Sequence, residues 1–347
     1  MSNEPKHGDL KHGDLKHGDL KHGDMKASDL RAGGLRVGLD IGATKVLGAV
    51  VDADGTVVAQ ARQDTRPGPD GVLASATAVL DGLALRLDGA LPPHIGIGVC
   101  GIVDRDRGAV SHAVNLGIGG DWFPLAARLA DRTGATVLID NDVNAATWGA
   151  HVLCGADDLA YLSVGTGLAA GFVLSGSLRR GAHGAAAEIG HLPGDPDGPR
   201  CSCGQRGCLE LYASGSTLAA AWPSGRSGQS GQSGQTDAAG QVPPAAALFA
   251  AAAAGNQEAI AIRDRFAGRL AEAIRILELS VGPDAIIIGG GVSHVGEPLL
   301  AAVAAALRAQ AEGSPFLAAL DLAGRTRLLP GQQPVGAIGA ALIGNAG

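Results

Sequence analysis

The chain has 347 residues, 46% hydrophobic and 18% charged, with 55 glycines; this exceeds one small core and suits a turn-rich α/β protein of two lobes around a cleft. A net charge of -7 supplies no basic field for a polyanion, so nucleic acid is not an expected partner. No apolar run of membrane-spanning length and no apolar leader core is present, so the expectation is a cytoplasmic protein without membrane contact that handles a small molecule.

In chain order, residues 1–34 open with Lys-His-Gly-Asp followed by Leu or Met, four times in tandem. Balanced charge and one apolar residue per repeat predict a flexible tail outside the fold. Residues 36–41 and 45–51 read as strands, and Asp54-Gly55 turns the chain into a third over 56–60, giving a meander. Helical apolar spacing covers 71–87, buried strands follow at 95–99 and 137–140, and a helix is expected over 144–153.

From Leu159 the opening pattern returns: a strand to Val164, the turn Gly165-Thr166-Gly167, a strand over 170–174 and a Ser-Gly turn. The chain therefore reads as two related halves. Gly-Gln-Ser repeats over 223–240 predict a flexible surface loop. A long helix over 256–281 stops before Pro283, a strand over 285–288 runs into Gly289-Gly290-Gly291, and a small-residue helix ends the chain. The expected lobes are 35–138, completed by 334–347, and 139–333.

Two glycine turns can aim backbone N–H groups at phosphate oxygens. In Asp40-Ile41-Gly42-Ala43-Thr44-Lys45, Gly42 permits close approach, Thr44 adds a hydroxyl and Asp40 can organise Mg²⁺ through water. The second turn is Gly165-Thr166-Gly167. Each alone is also an ordinary hairpin turn, and it is their recurrence at matching points of two meanders that points to a triphosphate. With these turns the chain resembles the actin, hsp70 and hexokinase superfamily. The resemblance implies a two-lobed actin-like ATPase (ribonuclease H-like) fold with a central cleft, ATP held between the hairpins, and Gly289, Gly290 and Gly291 at the adenosine. No Walker A pattern competes. Gly96-Ile97-Gly98-Val99-Cys100-Gly101 matches a dinucleotide string, but its glycines lie in a strand and a charged turn follows.

Transfer to a hydroxyl needs an aligned acceptor and a carboxylate to take its proton. Asp140-Asn141-Asp142-Val143-Asn144-Ala145-Ala146 lies at a strand-to-helix junction, where such groups project into a cleft, although the same residues could simply cap the helix. Glu188-Ile189-Gly190-His191 and a cysteine cluster follow. This ordered set is similar to the ROK family of glucokinases, amino-sugar kinases and sugar-responsive repressors, from Leu35 to the C-terminus. The resemblance implies Asp142 as general base and Asn115, Asn141, Glu188, His191 and Glu210 as sugar contacts. It also implies phosphorylation of a sugar primary hydroxyl, glucose foremost, by a homo-oligomer (dimer or tetramer).

His191, Cys201, Cys203 and Cys208 supply one imidazole and three thiols, a set suited to a closed structural Zn²⁺ site. Such a metal would fix the end of the Glu188 segment and the chain just before Glu210. Cys100 and Cys154 are expected in the core. The family pattern has Gly at Ala43, Ala169 and Ala170; positive φ there would make alanine costly and leaves polyphosphate open as a donor. An amino sugar or a C7 cyclitol is the alternative acceptor, and a non-catalytic sugar sensor the alternative class. Repressors of the family carry a helix-turn-helix domain, whereas residues 1–34 carry repeats.

Overall fold

The computed structural model describes residues 34–182, 184–222, 242–329, 331 and 333–345. The expected flexible tail and the loop over 223–240 lie outside these residues, except Gly34 of the tail. Strands β1 (Arg36–Ile41), β2 (Lys45–Val51) and β3 (Val57–Asp64) form the expected meander, followed by helix α1 (Pro69–Ala84). Asp52 shapes the β2–β3 turn by accepting from the N–H groups of Asp54 and Thr56 at 3.0 and 2.8 Å. β3 extends past the expected Gln60 because the ladder with β2 continues to the pair Lys45 and Asp64.

Next come β4 (His94–Val99), the short hairpin of β5 (Ile102–Asp104) and β6 (Ala109–Ser111), α2 (Leu125–Thr133), β7 (Thr136–Asn141) and α3 (Asp142–Cys154). The second half holds β8 (Leu159–Val164), β9 (Leu168–Leu174), β10 (Ser177–Arg179), α4 (Gly215–Ala221), α5 (Pro244–Ala253) and α6 (Gln257–Val281). It continues with β11 (Ala285–Gly289), α7 (Glu297–Ala311), α8 (Pro315–Ala319), α9 (Leu322–Arg325) and β12 (Thr326–Leu328), and α10 (Val335–Leu342) follows. Helix α6 has the ends its sequence predicts: the Asn256 side chain accepts from Ala259 N–H, and Gly282 turns left-handed before Pro283.

The two main sheets have one topology. Their orders are β3-β2-β1-β4-β7 and β10-β9-β8-β11-β12. In each, the first three strands run antiparallel and the last three parallel. The halves read from the sequence are thus structural repeats, and their first hairpins occupy equivalent places. β7 lies wholly in the first sheet, crossing the position 138/139 where the sequence reading divided the lobes.

One core packs α1 and α2 on the first sheet, and a second packs α5, α6 and α7 on the second sheet. A third joins both sheets through α3 and α10 and includes Val51, Trp148, Tyr161, Ile287 and Ile338. Trp148 Nε1 donates to Leu342 O at 2.9 Å across this layer. On this face β1 and β4 carry glycines where the helices approach: a Cβ at Gly38 or Gly96 would collide with α10 backbone, and one at Gly98 would press on Ala145. Gly149 and Gly339 meet in the same way between the helices. The dinucleotide-like string is therefore a helix-packing surface, followed by a hairpin rather than a helix. Cys154 departs from expectation. It is exposed, because the last residue of α3 sits beside the Gly155 cap, at the helix end rather than on its packed face.

Candidate active site

Asp40, Gly98 and Asp140 are register partners at the C-terminal ends of β1, β4 and β7. In a parallel sheet this edge opens toward the connections, the usual place for a ligand. The β1–β2 hairpin is closed by Gly42 N–H on Lys45 O at 3.0 Å and braced by Thr65, whose hydroxyl donates to Gly42 O at 2.7 Å. Ala43 and Thr44 are exposed at its tip. The β8–β9 hairpin closes through Gly165 N–H on Gly167 O at 3.0 Å. A Cβ at Gly165 would meet nothing within 4 Å, so packing does not require glycine there, whereas close approach of a phosphate would. None of Ala43, Ala169 and Ala170 has positive φ. The alanines carry no backbone strain, and the reason for doubting ATP as donor falls away.

Asn141 caps α3, its Oδ1 accepting from the N–H groups of Val143 and Asn144 at 2.9 and 3.3 Å. The bland reading of this asparagine is thus realised, while its Nδ2 reaches Gly101 O at 3.5 Å. Asp142 is the first residue of the helix, with Oδ1 accepting its neighbour's N–H, Val143, at 3.0 Å. Burial, with the Glu188 carboxylate adding to it, pushes its pKa up to about 6 against the pull of the backbone N–H groups. Asp40 is pushed up to about 7 by burial and by Asp142, and Lys45 pulls it down. Its carboxylate fills the space left by Gly336 in α10. Asp40 and Asp142 are half-buried carboxylates that repel each other, and Lys45 opposes that repulsion at Asp40; this placement suits Asp40 to organise a divalent cation.

Glu188 stands at the start of a 3-10 turn, Ile189–His191. The preceding Ala187 has φ of 63° and its carbonyl accepts from Ala170 N–H at 3.1 Å, which ties Glu188 to β9. Glu210 Oε2 accepts from Leu168 N–H at 3.2 Å, beside Gly167, and Gly190 lies against the Leu168 carbonyl. Both acidic groups are therefore mounted on the second glycine hairpin. The ligand atoms of His191, Cys201, Cys203 and Cys208 lie within 4.8 Å of one another. Cys203 Sγ and Cys208 Sγ are 3.6 Å apart, and Cys201 Sγ is 3.9 Å from His191 Nδ1. A tetrahedral ion with Zn–S of about 2.3 Å sets neighbouring sulfurs about 3.8 Å apart, so the four groups fit zinc.

Gly290 has φ of 78° and packs on the Val164 backbone, while Gly291 meets nothing within 4 Å. Gly289 is explained by the Tyr161 ring, which occupies the place of a Cβ. Gly215 N–H donates to Gly165 O at 2.7 Å, so the start of α4 also meets this hairpin. Asn115 is exposed in a 3-10 turn, Val114–Leu116. No hydrogen bond among the described residues joins it to Asn141, Asp142 or Glu188.

Sequence reasoning missed what surrounds Asp140. This buried carboxylate accepts from Arg180 Nε at 2.7 Å, Asn141 N–H at 2.8 Å and Asn144 Nδ2 at 2.9 Å, with Arg105 Nε at 3.3 Å. Its only signal was a charge ending an apolar strand, and neither arginine is near it in sequence. Cys100, expected in the core, is half-buried against the first core. Burial, then Asp142, raises its thiol to about 12.

Repeated sheets around α3 and α10, with a glycine hairpin in each, define a two-lobed ATPase of the actin-like class. The ROK family profile matches residues 36–345, and the chain belongs to the ROK family. It is 35% identical over 272 residues to a glucokinase of Thermotoga maritima, covering 76% of this chain and 84% of that one. An N-acetylmannosamine kinase of Citrobacter koseri is 32% identical over 259 residues, 73% of this chain and 82% of that one. Among solved structures, a ROK family glucokinase from Streptomyces griseus in complex with glucose and AMPPNP superposes with a TM-score of 0.73 at 30% identity, covering 90% of this chain and all of that one.

Proposed function

We propose that the protein transfers the terminal phosphoryl group of ATP to a sugar primary hydroxyl, with glucose the first candidate. The observation that carries this reading is Asp142, a half-buried carboxylate raised to a pKa of about 6 at a helix start, within electrostatic reach of Asp40 and Glu188. In this reading the hairpins at Gly42–Thr44 and Gly165–Gly167 cradle the phosphates, with Lys45 nearby, and Gly289–Gly291 borders the adenosine. Asn115, Asn141, Glu188, His191 and Glu210 bind the acceptor hydroxyls. Asp142 Oδ takes the hydroxyl proton as the oxygen attacks phosphorus, and the leaving oxygen departs on ADP. Asp40 would hold Mg²⁺ through water, which neutralises phosphate charge. His191, Cys201, Cys203 and Cys208 would hold a structural Zn²⁺ that shapes the acceptor side and takes no part in transfer.

Similarity to an N-acetylmannosamine kinase favours an amino sugar as the second candidate. A cytoplasmic homo-oligomer, dimer or tetramer, remains part of the proposal, and sedimentation of the purified chain reads its size. One coupled ADP-release assay with glucose, mannose, N-acetylmannosamine and a C7 cyclitol tests the reading. Glucose-dependent release from ATP is expected. Binding of sugar with neither ADP release nor sugar phosphate formation would instead mark a sensor, and sugar phosphate formed from polyphosphate but not from ATP would overturn the donor.

A further inference from the structure

The ion pair between Asp140 and Arg180 joins parts of the molecule that each carry a proposed site residue. Asp140 ends β7 of the first sheet, and the same carboxylate grips Asn141 N–H and the Asn144 side chain, the first turn of the helix that presents Asp142. Arg180 follows β10 of the second sheet, and its carbonyl accepts from Ala186 N–H at 3.3 Å, where the chain turns toward Glu188. The pair is 2.7 Å long, with side-chain exposure of 14% for Arg180 and 2% for Asp140. A charge-assisted bond removed from water to this extent is short, directional and resistant to salt. Arg105 approaches the same oxygen from the β5–β6 turn with its side chain 48% exposed, so Arg180 is the better shielded partner.

We propose that Arg180, acting through Asp140, is a positioning residue for phosphoryl transfer: it locks the helix start that carries Asp142 to the chain segment that delivers Glu188. The inference rests on the reading of Asp142 as general base. Asp140 touches neither the acceptor nor the phosphate in this scheme. It stands two residues from the base, and Arg180 and Arg105 neutralise it. Among the described residues, the other charged or titratable groups facing Asp142 are Asp40 with Lys45 from β1 and the first hairpin, Glu188 from the second lobe, Tyr161 from β8, and Cys100 after β4.

Charge gives the test a signature that a purely structural role lacks. In Arg180→Met the buried Asp140 charge loses its main partner and disfavours ionisation of Asp142. The acid limb of kcat/KM should move up by about one pH unit, and kcat should fall at least about tenfold. In Asp140→Asn the amide still accepts from Asn141 N–H, but the two arginines now favour the Asp142 anion, so the limb should move down. The double variant should return the limb toward its original place without restoring kcat. Arg180→Lys should keep the limb and recover part of kcat. Each variant is assayed well below its own Tm, and if Arg180→Met does not fold, Asp140→Asn and Arg180→Lys decide. Limbs that stay put, or singles that shift in the same direction, overturn the proposal. Near-normal turnover in Asp142→Asn would remove the base itself, a separate failure.

Discussion

Asp142 was legible as a candidate from its place in Asp140-Asn141-Asp142, but its protonation is a property of the fold. Partly desolvated and close to Glu188, the carboxylate is held up to about 6, so it is ionised and able to accept a proton above that pH and loses that capacity below it. The kcat/KM profile should therefore fall on the acid side near pH 6. Asp142→Asn should cut kcat at least about 10²-fold while changing the sugar KM little; a near-normal rate would end its assignment. Ala187 gives a second test at this scale. Its φ of 63° puts a Cβ in the left-handed region, so Ala187→Gly should stabilise the protein by about 1 kcal/mol in thermal unfolding. No pattern of residues announced that strain, because φ follows from tethering Ala187 O to Ala170 N–H on β9.

The cysteine loop is the element in which local sequence said most. Three thiols and an imidazole leave few arrangements, and the fold brings their ligand atoms within 4.8 Å. Backbone bonds complete the loop: Cys201 N–H donates to Gln205 O at 2.8 Å and Leu209 N–H to Leu192 O at 2.9 Å. The second bond links the ends that carry His191 and Glu210. With the proposed zinc bound to this cluster, treatment with a chelator should lower Tm and raise the sugar KM while leaving the ATP KM nearly unchanged. Release of stoichiometric zinc with no change in sugar KM would refute that coupling. Helix α10 gives the opposite lesson. Its small residues were visible, but the reason for them, backbone contact with Gly38 and Gly96 on the sheet, emerges only when the elements meet.

At the scale of the whole molecule, α3 and α10 lie between two sheets of identical order, and the proposed site residues come from both halves. Sugar binding is expected to draw the halves together and exclude water. Small-angle scattering should show a smaller radius of gyration at saturating sugar; an unchanged profile would count against closure. The repeated meander, both glycine hairpins, the helix ends and the grouping of His191 with three cysteines were determined by the sequence itself. They depend on hydrogen bonds and side-chain chemistry among near neighbours, which leave local patterns. Tertiary structure alone decided the Asp140–Arg180 pair, the raised pKa values of Asp40 and Asp142, and the role of the strand glycines. Burial and charge coupling depend on distances between residues far apart in the chain, and no local pattern encodes those distances.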